Sequence, residues 1–531
     1  MYLFLFRYAS GHSYYLFTND ASIKNTMNAF SNNGGIRFIP NSKTKFNLTI
    51  AYFNNKGKYP IENFSQHINN STDSIFDKYN YITTSDYHNI GNSLNASFYH
   101  SFDSLGKEIT VTAGLRNYGH TQISESIYHY QYLFNSPSDS IYKYKTNQEV
   151  NTPKVFGSIF YNNPINSKTR WNCGWTGSYQ YKGNADINYS QNEIVYLPLT
   201  SFTKMEVMNH TVYFRIGTTL KKWKLDAGIS AQYDKYDIEY TRYKLNLEDT
   251  LLNLNKDFLN WLPSTTIVYQ LNKFQEIKLS YSKSVQPLYY YVLCDFIEKE
   301  SPRNWTSGNS KLQPTAFNNL YLGYTYNKET WNINTDVFYS LTNNDISYLS
   351  IPVTDVISVT IPQNIGSSNS IGIELAAWVS INKKYDLNFS SSINHTTINS
   401  SEIYGNGLKK KDFGYNLKLS TDIRLNKKNS GTFYFNYFSR EITFEGYQFD
   451  YINSSLSFTH KFFENKLMLT FGVNNIFDEL LKHGSYYNYS GFTQNTYQYS
   501  SFYKPTYFLT LNFKFRQGDR GTKDTGASMK N

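Results

Sequence analysis

Apolar and polar residues alternate most regularly between Phe317 and Ser340. Two runs of about ten residues flank a polar turn at 327–330, and one face of each run is mostly aliphatic or aromatic, with Leu320, Leu322, Tyr324 and Tyr326 in the first and Trp331, Ile333, Thr335, Val337 and Tyr339 in the second. This period of two places alternate side chains on opposite faces of a strand, and the short turn joins the two strands into an antiparallel hairpin. Strands of 9–11 residues are long enough to cross a bilayer at a tilt. The stretch therefore predicts a membrane-spanning β-hairpin.

The same hairpin pattern recurs along the whole chain. The paired runs are 29–39 with 45–54, 94–102 with 108–118, 154–161 with 169–180, 208–219 with 224–240, 262–270 with 276–285, 317–326 with 331–340, 369–380 with 385–397, 412–425 with 431–445, and 449–461 with 467–476. A last strand follows at 503–515, which makes nineteen strands, and Tyr2–Tyr8 is a candidate for one more. The pattern predicts an all-β chain that folds into a large antiparallel transmembrane β-barrel.

The connections between hairpins are long and polar, whereas the turns within hairpins are short. The long segments are 55–93, 119–153, 181–207, 241–260, 286–316, 348–368 and 477–500, and they are rich in Tyr, Asn, Ser and Asp. Short turns on one side and long connections on the other are typical of outer-membrane barrels, in which the turns are periplasmic and the loops extracellular. We therefore expect these segments to form extracellular loops.

The alternation also assigns a face to each residue of a strand. In one strand the predicted lipid-facing residues are Tyr415, Leu417, Leu419, Thr421, Ile423 and Leu425, and the lumen-facing ones are Asn416, Lys418, Ser420, Asp422 and Arg424. In the last strand Tyr507, Leu509, Leu511, Phe513 and Phe515 are predicted to face outward, with Thr510, Asn512 and Lys514 inward. A lipid-facing apolar set beside a polar lumen is the pattern of a barrel wall.

The composition supports a membrane barrel. Aromatic residues make up 18% of the 531 residues, with 50 Tyr and 38 Phe, and amphipathic rings suit the headgroup level of a bilayer. The mean hydropathy of -0.54 and the lack of an 18-residue apolar run argue against transmembrane helices. Outer-membrane lipid and lipopolysaccharide are the expected surroundings, in the cell outer membrane of a Gram-negative bacterium.

The net charge of +10 allows two interpretations. It either reflects a basic pI without functional content or favours contact with anionic lipopolysaccharide or an anionic ligand. Nucleic acid is not an expected partner, because basic residues are dispersed except at 409–411.

Residue patterns for catalysis, metal binding or cofactor binding are not found, so we predict no catalytic, cofactor or metal residues and no enzyme. Cys173 and Cys294 lack metal or disulfide spacing, and Cys173 is expected in the wall. His483 lies near Tyr486 and Tyr487, which would suit iron or haem, but such proximity is also expected by chance among 50 tyrosines.

The number of strands bears on the width of the barrel and on its completeness. About 20 visible strands favour a 22-stranded barrel, whose lumen is wide enough to need a plug. We expect residues 1–515 to form a barrel that is incomplete at its N-terminus, because a signal peptide pattern is missing before Arg7. We also expect that these residues do not include a plug. Residues 516–531 are polar and Gly-rich and are predicted to be a disordered periplasmic tail.

Three short motifs carry a resemblance to a known family. Residues 472–478 (GVNNIFD) resemble the ending of the penultimate strand in TonB-dependent receptors, and 308–314 (GNSKLQP) resemble their GNPNLKPE stretch, with Ser310 and Thr315 departing from it. Residues 370–375 (SIGIEL) are similar to their GxE strand start. In order and spacing the motifs resemble the Bacteroidetes-type outer-membrane β-barrels of TonB-dependent receptors. The glycines and asparagines of these motifs are expected to shape the wall rather than to bind a ligand.

The resemblance implies uptake of a scarce ligand, such as a siderophore, haem, cobalamin or glycan, through extracellular loops. It also implies a plug domain and TonB as partners, through a segment that is not in this sequence. The alternative is an adhesin, docking protein or passive pore without energised transport. The predicted lumen charges either pair with a plug or are solvated in a wet pore: Arg116, Arg215, Asp226, Asp336, Glu374, Asp422 and Arg424.

Overall fold

The computed structural model describes most of the chain as β-strands. The described residues are 2–8, 14–19, 22–23, 26–69, 74–133, 136–195, 200–243, 249–295, 297–299, 304–353, 358–382, 384–400, 409–444, 446–463, 466–477, 483–488, 492–498 and 505–513. The predicted C-terminal tail, Lys514 and Phe515 lie outside these residues, and the tail stays a prediction.

In the described part of the chain, nineteen strands form the barrel wall, each antiparallel to the next along it. In wall order they are β4 (Thr26–Asn41), β5 (Thr44–Asn69), β6 (Ser74–Ser101), β7 (Glu108–Leu133), β9 (Lys154–Pro164), β10 (Thr169–Gln191), β12 (Ser201–Leu220), β13 (Trp223–Tyr243), β14 (Asp249–Asn272), β15 (Gln275–Gln286), β18 (Thr315–Lys328), β19 (Trp331–Pro352), β20 (Ser358–Ile381), β21 (Tyr385–Ser400), β22 (Lys409–Arg424), β23 (Asn429–Phe438), β26 (Tyr451–Phe462), β27 (Leu467–Asn474) and β30 (Thr506–Phe513).

The other described elements lie outside this series. They are β1 (Tyr2–Tyr8), β2 (Tyr14–Asn19), β3 (Ser22–Ile23), β8 (Ser136–Asn151), β11 (Ile194–Val195), α1 (Tyr290–Leu293), β16 (Ile297–Lys299), β17 (Asn304–Ser307), β24 (Glu441–Ile442), β25 (Gly446–Gln448), β28 (His483–Asn488) and β29 (Phe492–Gln498). Six of them make a second sheet in the order β2-β1-β29-β28-β25-β24. Tyr2–Tyr8 is thus a strand, as the sequence suggested, but it belongs to this second sheet.

All nine predicted hairpins are confirmed, and so is the all-β antiparallel barrel. The eighth is shorter than predicted, since β23 ends at Phe438. Several turns reverse the chain through left-handed backbone conformations, with φ of 52° at Lys221 and 53° at Asn382. Asparagine tolerates this region well, as at Asn382. In other turns the asparagine side chain instead accepts a hydrogen bond from the backbone N–H two residues on, as at Asn41, Asn166, Asn272 and Asn426. The short turns collect at one rim, which we call the turn end.

The predicted long loops are wrong in their secondary structure. Much of 55–93 and 119–153 is hydrogen-bonded strand, because β5, β6 and β7 continue far beyond the hairpin cores and β8 pairs with the extensions of β7 and β10. The frequent Tyr, Thr and Ile in these segments favour extended structure, and cross-strand pairing satisfies their backbone groups. We call this rim the long-strand end.

Cross-strand registers confirm the predicted faces. Lys418 pairs with Ser390 and Asn436 on the inner face, whereas Leu417 points outward with 37% of its side chain exposed. Tyr507, Leu509, Leu511 and Phe513 are outward and exposed. Among the described residues, no helix has the length and apolarity needed to cross a membrane.

Two of the three motifs, 370–375 and the described part of 472–478, lie in strands of the wall or at their ends. Residues 370–375 lie in the middle of β20, not at its start as predicted, because pairing with β19 extends back to Ser358. At the end of β27, Asn475 adopts φ 57° and its N–H donates to Ser454 O at 2.6 Å. A Cβ at Gly472 would collide with the Phe508 ring and approach Leu456 O at 2.9 Å, so close packing requires glycine there.

Candidate functional site

A segment between β15 and β18 folds against the inner wall near the long-strand end. We call its described part, residues 287–295, 297–299 and 304–314, the infolded segment. It contributes Leu288, Val292, Leu293, Cys294 and Leu312 to an apolar cluster, against wall residues Ala185, Met205, Tyr236, Ile238 and Tyr240. Leu293, Leu312 and Ile238 are fully buried. The hydrophobic effect thus holds the segment inside the barrel. The polar residues that surround these apolar ones in the sequence predict a solvent-exposed loop instead.

Hydrogen bonds fix the path of the infolded segment. Tyr236 Oη donates to Leu288 O at 2.8 Å, and Tyr240 Oη donates to the Asp295 carboxylate. At its other end, Gln313 N donates to Asn364 Oδ1 at 2.8 Å, and Asn364 Nδ2 returns a bond to Gln313 O at 2.9 Å. The bond from Tyr236 satisfies the buried backbone carbonyl of Leu288. The other bonds tie the two ends of the segment to strands of the wall.

Cys294 offers a direct readout of this packing. Its side chain is fully buried, and burial raises the pKa of the thiol to about 12. Because the thiolate is the reactive form, we expect Cys294 to resist N-ethylmaleimide at pH 8 in the native barrel and to react fully in denaturant. A Cys173→Ser background isolates this thiol, and mass spectrometry counts the adducts. Rapid, complete labelling of the native protein would contradict the infolded position.

A cavity of about 550 Å³ lies on the inner wall beside Pro287, the first residue of the infolded segment. We call it the inner pocket. Five small hydroxyl residues line it: Thr112, Ser158, Thr176, Ser178 and Thr211. Asn209, Gln232, Asp234 and Phe156 complete its polar and aromatic surface. A cavity with convergent polar groups and an aromatic side chain has the character of a small-ligand site.

Asp234 is the charged residue of this pocket. It is 1% exposed and accepts hydrogen bonds from Asn209 Nδ2 at 2.7 Å and Gln232 Nε2 at 2.8 Å. Each carboxylate oxygen therefore has one amide donor and keeps further acceptor capacity. The pocket lining contains no Lys, Arg or His among the described residues. The carboxylate is therefore held in place by amides rather than by an ion pair.

The predicted lumen charges all lie on the inner face, but they differ in their partners. Arg215 Nε lies 2.7 Å from Asp226 Oδ1, and Arg424 pairs with Asp386. Asp422 accepts a hydrogen bond from Thr432 Oγ1 at 2.8 Å.

Two carboxylates remain without such a partner. Asp336 and Glu374 oppose one another across β19 and β20. Neither forms an ion pair within the described part of the chain. Like charges that face each other across strands are unfavourable, so this pair favours a cationic neighbour.

Tyrosines form a separate packed cluster at the long-strand end. Tyr128 and Tyr130 are 4% and 5% exposed, and the Tyr81 and Tyr128 rings stack at 4.8 Å. Burial raises the pKa of Tyr144, which lies on β8, to about 12. These rings are the core of the extended hairpins and do not form an exposed adhesive surface.

The remaining candidates give no metal centre within the described residues. His483, Tyr486 and Tyr487 lie in β28, but their side chains are outside those described. Over the described ranges, no three His, Cys, Asp or Glu side chains come together as metal ligands. Cys173 lies in the wall on β10, as predicted, and its pairing with Phe214 places it on the outer face.

Sequence reasoning named no binding residues and therefore missed the inner pocket. The available signal was the recurrence of Ser and Thr at inner positions of neighbouring strands. Reading that signal requires the register across five strands, from β7 to β13, which the alternation alone does not fix.

Comparisons with known proteins agree with the fold. The copper transporter OprC superimposes with a TM-score of 0.55 at 11% identity, covering 94% of this chain and 80% of that chain. The ferripyoverdine receptor of the Pseudomonas aeruginosa outer membrane gives 0.51 at 12% identity, covering 93% and 71%. The ferric-catecholate import receptor Fiu of E. coli K12 gives 0.50 at 10%, covering 91% and 81%. At these identities the likeness concerns the fold alone.

Sequence comparison identifies the family. No curated protein sequence matches the chain significantly. The model of the outer membrane protein beta-barrel family matches residues 100–515, which is most of the chain. The predicted location in the outer membrane agrees with this match. The chain therefore belongs to the outer membrane protein β-barrel family.

Proposed function

We propose that this chain is the barrel of a TonB-dependent receptor, which takes up a scarce ligand from outside the cell. The observation that carries the proposal is the inner pocket beside the infolded segment. A wall of nineteen strands encloses a lumen too wide for its own side chains to fill, so an interior pocket is reachable by a ligand. Because short turns of such barrels are periplasmic, the long-strand end faces the medium and admits the ligand.

The inner wall also suits a plug domain. Asp336 and Glu374 present opposed carboxylates to the lumen, and Lys418 lies on the same face further along the wall. A plug with basic residues would relieve the repulsion between the two carboxylates. Arg215 and Arg424 already have acidic partners in the wall, so they contribute less to such a contact.

A growth experiment tests energised uptake. We expect a strain without this gene to lose growth on at least one limiting nutrient from a panel of ferric siderophores, haem, cobalamin and oligosaccharides. Deletion of TonB should cause the same loss, because energised receptors depend on it. Growth curves on each nutrient, with and without plasmid-borne wild-type protein, give the measurement.

The controls separate uptake from the alternatives. Wild-type growth of the deletion strain on every nutrient would refute the uptake proposal, and loss of surface attachment alone would indicate an adhesin or docking protein. A growth defect that TonB deletion does not reproduce would indicate a passive pore. Outer-membrane levels of the complementing protein are measured alongside, so that poor expression is recognised.

A further inference from the structure

The inner pocket is built from two neighbouring rows of paired residues. In the first row, the register places Thr112, Ser158, Thr176, Thr211 and Gln232 side by side across β7, β9, β10, β12 and β13. In the second row, one step toward the long-strand end, Gly114, Phe156, Ser178, Asn209 and Asp234 are paired in the same way. The lining is thus an ordered polar surface, fixed by the backbone hydrogen bonds of the wall.

These rows match a polyhydroxylated ligand. Hydroxyl side chains both donate and accept, and amides offer both functions side by side, so they complement ligand hydroxyls that also donate and accept. Phe156 adds an aromatic ring that packs over Gly114, where a Cβ would collide with it. Such a ring provides an apolar surface for the C–H face of a sugar.

The pocket is electrically asymmetric. Asp234 marks its β13 edge. Arg116 and Lys154 do not line the pocket, but they oppose one another at the next inner pair of β7 and β9, beyond Gly114 and Phe156. Three interstrand steps separate β9 from β13, or about 14 Å, so the two edges are electrostatically distinct. Neither Arg116 nor Lys154 forms an ion pair within the described residues, although the Arg116 guanidinium lies 5.9 Å from the Phe156 ring centre.

We propose that the inner pocket binds an acidic oligosaccharide, with its sugar hydroxyls on the two rows and its anionic group beside Arg116 and Lys154. This inference rests on the proposed uptake function and specifies its ligand class. Two cations facing each other across strands repel, and an anion between them removes that repulsion. A ligand that is cationic along its length would satisfy Asp234 but leave the hydroxyl donors unmatched and meet Arg116 and Lys154. A compact anion without hydroxyls would use only one edge of the pocket.

A glycan array on the purified protein in detergent tests the proposal. Each acidic oligosaccharide is printed beside its carboxyl-reduced, uncharged counterpart, and bound protein is detected by fluorescence. We expect binding to at least one acidic glycan, at least tenfold stronger than to its reduced partner. The Arg116→Gln/Lys154→Gln variant should lose this tenfold preference.

A second variant locates the binding site. Thr176→Trp fills the pocket and should weaken binding at least tenfold, whereas Ser280→Trp, on the inner face of β15, should bind as the wild type does. Heat-modifiable mobility on gels establishes that each variant folds.

Three results would overturn the assignment: no acidic glycan bound, equal binding of acidic and reduced partners, or equal loss in both tryptophan variants. The array needs no TonB or membrane energy, so these failures leave the growth experiment and the uptake proposal standing.

Discussion

Leu417→Arg should abolish accumulation of the folded barrel in the outer membrane, whereas Lys418→Leu should leave it near the wild-type level. The two residues are neighbours on β22 but point to opposite sides of the wall, as their partners on β21 show. An arginine on the lipid face near the bilayer midplane costs roughly 2–4 kcal/mol. Lys418 faces the lumen, with its Nζ 5.7 Å from the Tyr434 ring centre. Losing such a contact costs only about 0.5–1 kcal/mol.

The measurement is the amount of heat-modifiable, protease-resistant barrel in outer-membrane fractions. Leu417→Ile is the matched control, because it keeps an apolar side chain at the same place. Similar amounts of the Leu417→Arg and Lys418→Leu proteins would show that the faces of β22 are assigned wrongly.

Gly308→Ala should release the infolded segment from the wall. A Cβ at this position would collide with the carbonyl oxygen of Cys294 and lie 2.8 Å and 2.9 Å from the Cys294 carbonyl carbon and nitrogen. These are backbone atoms, which cannot move aside as a flexible side chain can. The Gly308 N–H also donates to Cys294 O at 3.0 Å, so the backbone at Gly308 lies directly against the backbone at Cys294. Displacement would expose Leu293, whose full burial alone is worth about 1.5–3 kcal/mol.

The rate of maleimide labelling at Cys294, in the Cys173→Ser background, reports the release. We expect at least a tenfold faster reaction in Gly308→Ala than in the parent. Gly34→Ala is the control, since a Cβ at Gly34 has open space around it and should not change the rate. An unchanged labelling rate in Gly308→Ala would mean that the segment tolerates the side chain without opening.

The hairpins could be predicted from sequence because two independent signals coincide there. In the stretch around Tyr324 and Val337, strict alternation defines the strands and a polar turn defines where they reverse. The length of β5, β6 and β7 was not predictable in the same way. Toward the long-strand end these strands carry many polar side chains, yet they pair with one another, and this pairing satisfies the hydrogen-bonding groups of their backbones. Sequence composition alone describes such segments as loops.

The site depends on contacts that alternation does not encode. Leu288, Val292 and Leu293 lie in a stretch without a strand pattern, and only the three-dimensional structure shows that Met205 and Ile238 are their partners. Likewise, Thr112 and Asp234 are far apart in sequence, but both line the inner pocket, because the register of four strand pairs brings their strands to the same level of the wall. Alternation predicts which side of the wall a residue faces, but not which distant residues share its level.

The infolded segment begins and ends at one place in the wall. Gln286 and Thr315 are paired across β15 and β18, so the chain leaves the wall and returns to it at the same rung of the ladder. The closure entropy of such an excursion grows only slowly with its length. Substitutions, insertions or exchange of the whole segment therefore leave the β15–β18 pairing intact. Evolution can change what fills the interior of the barrel beside the inner pocket while keeping the same wall.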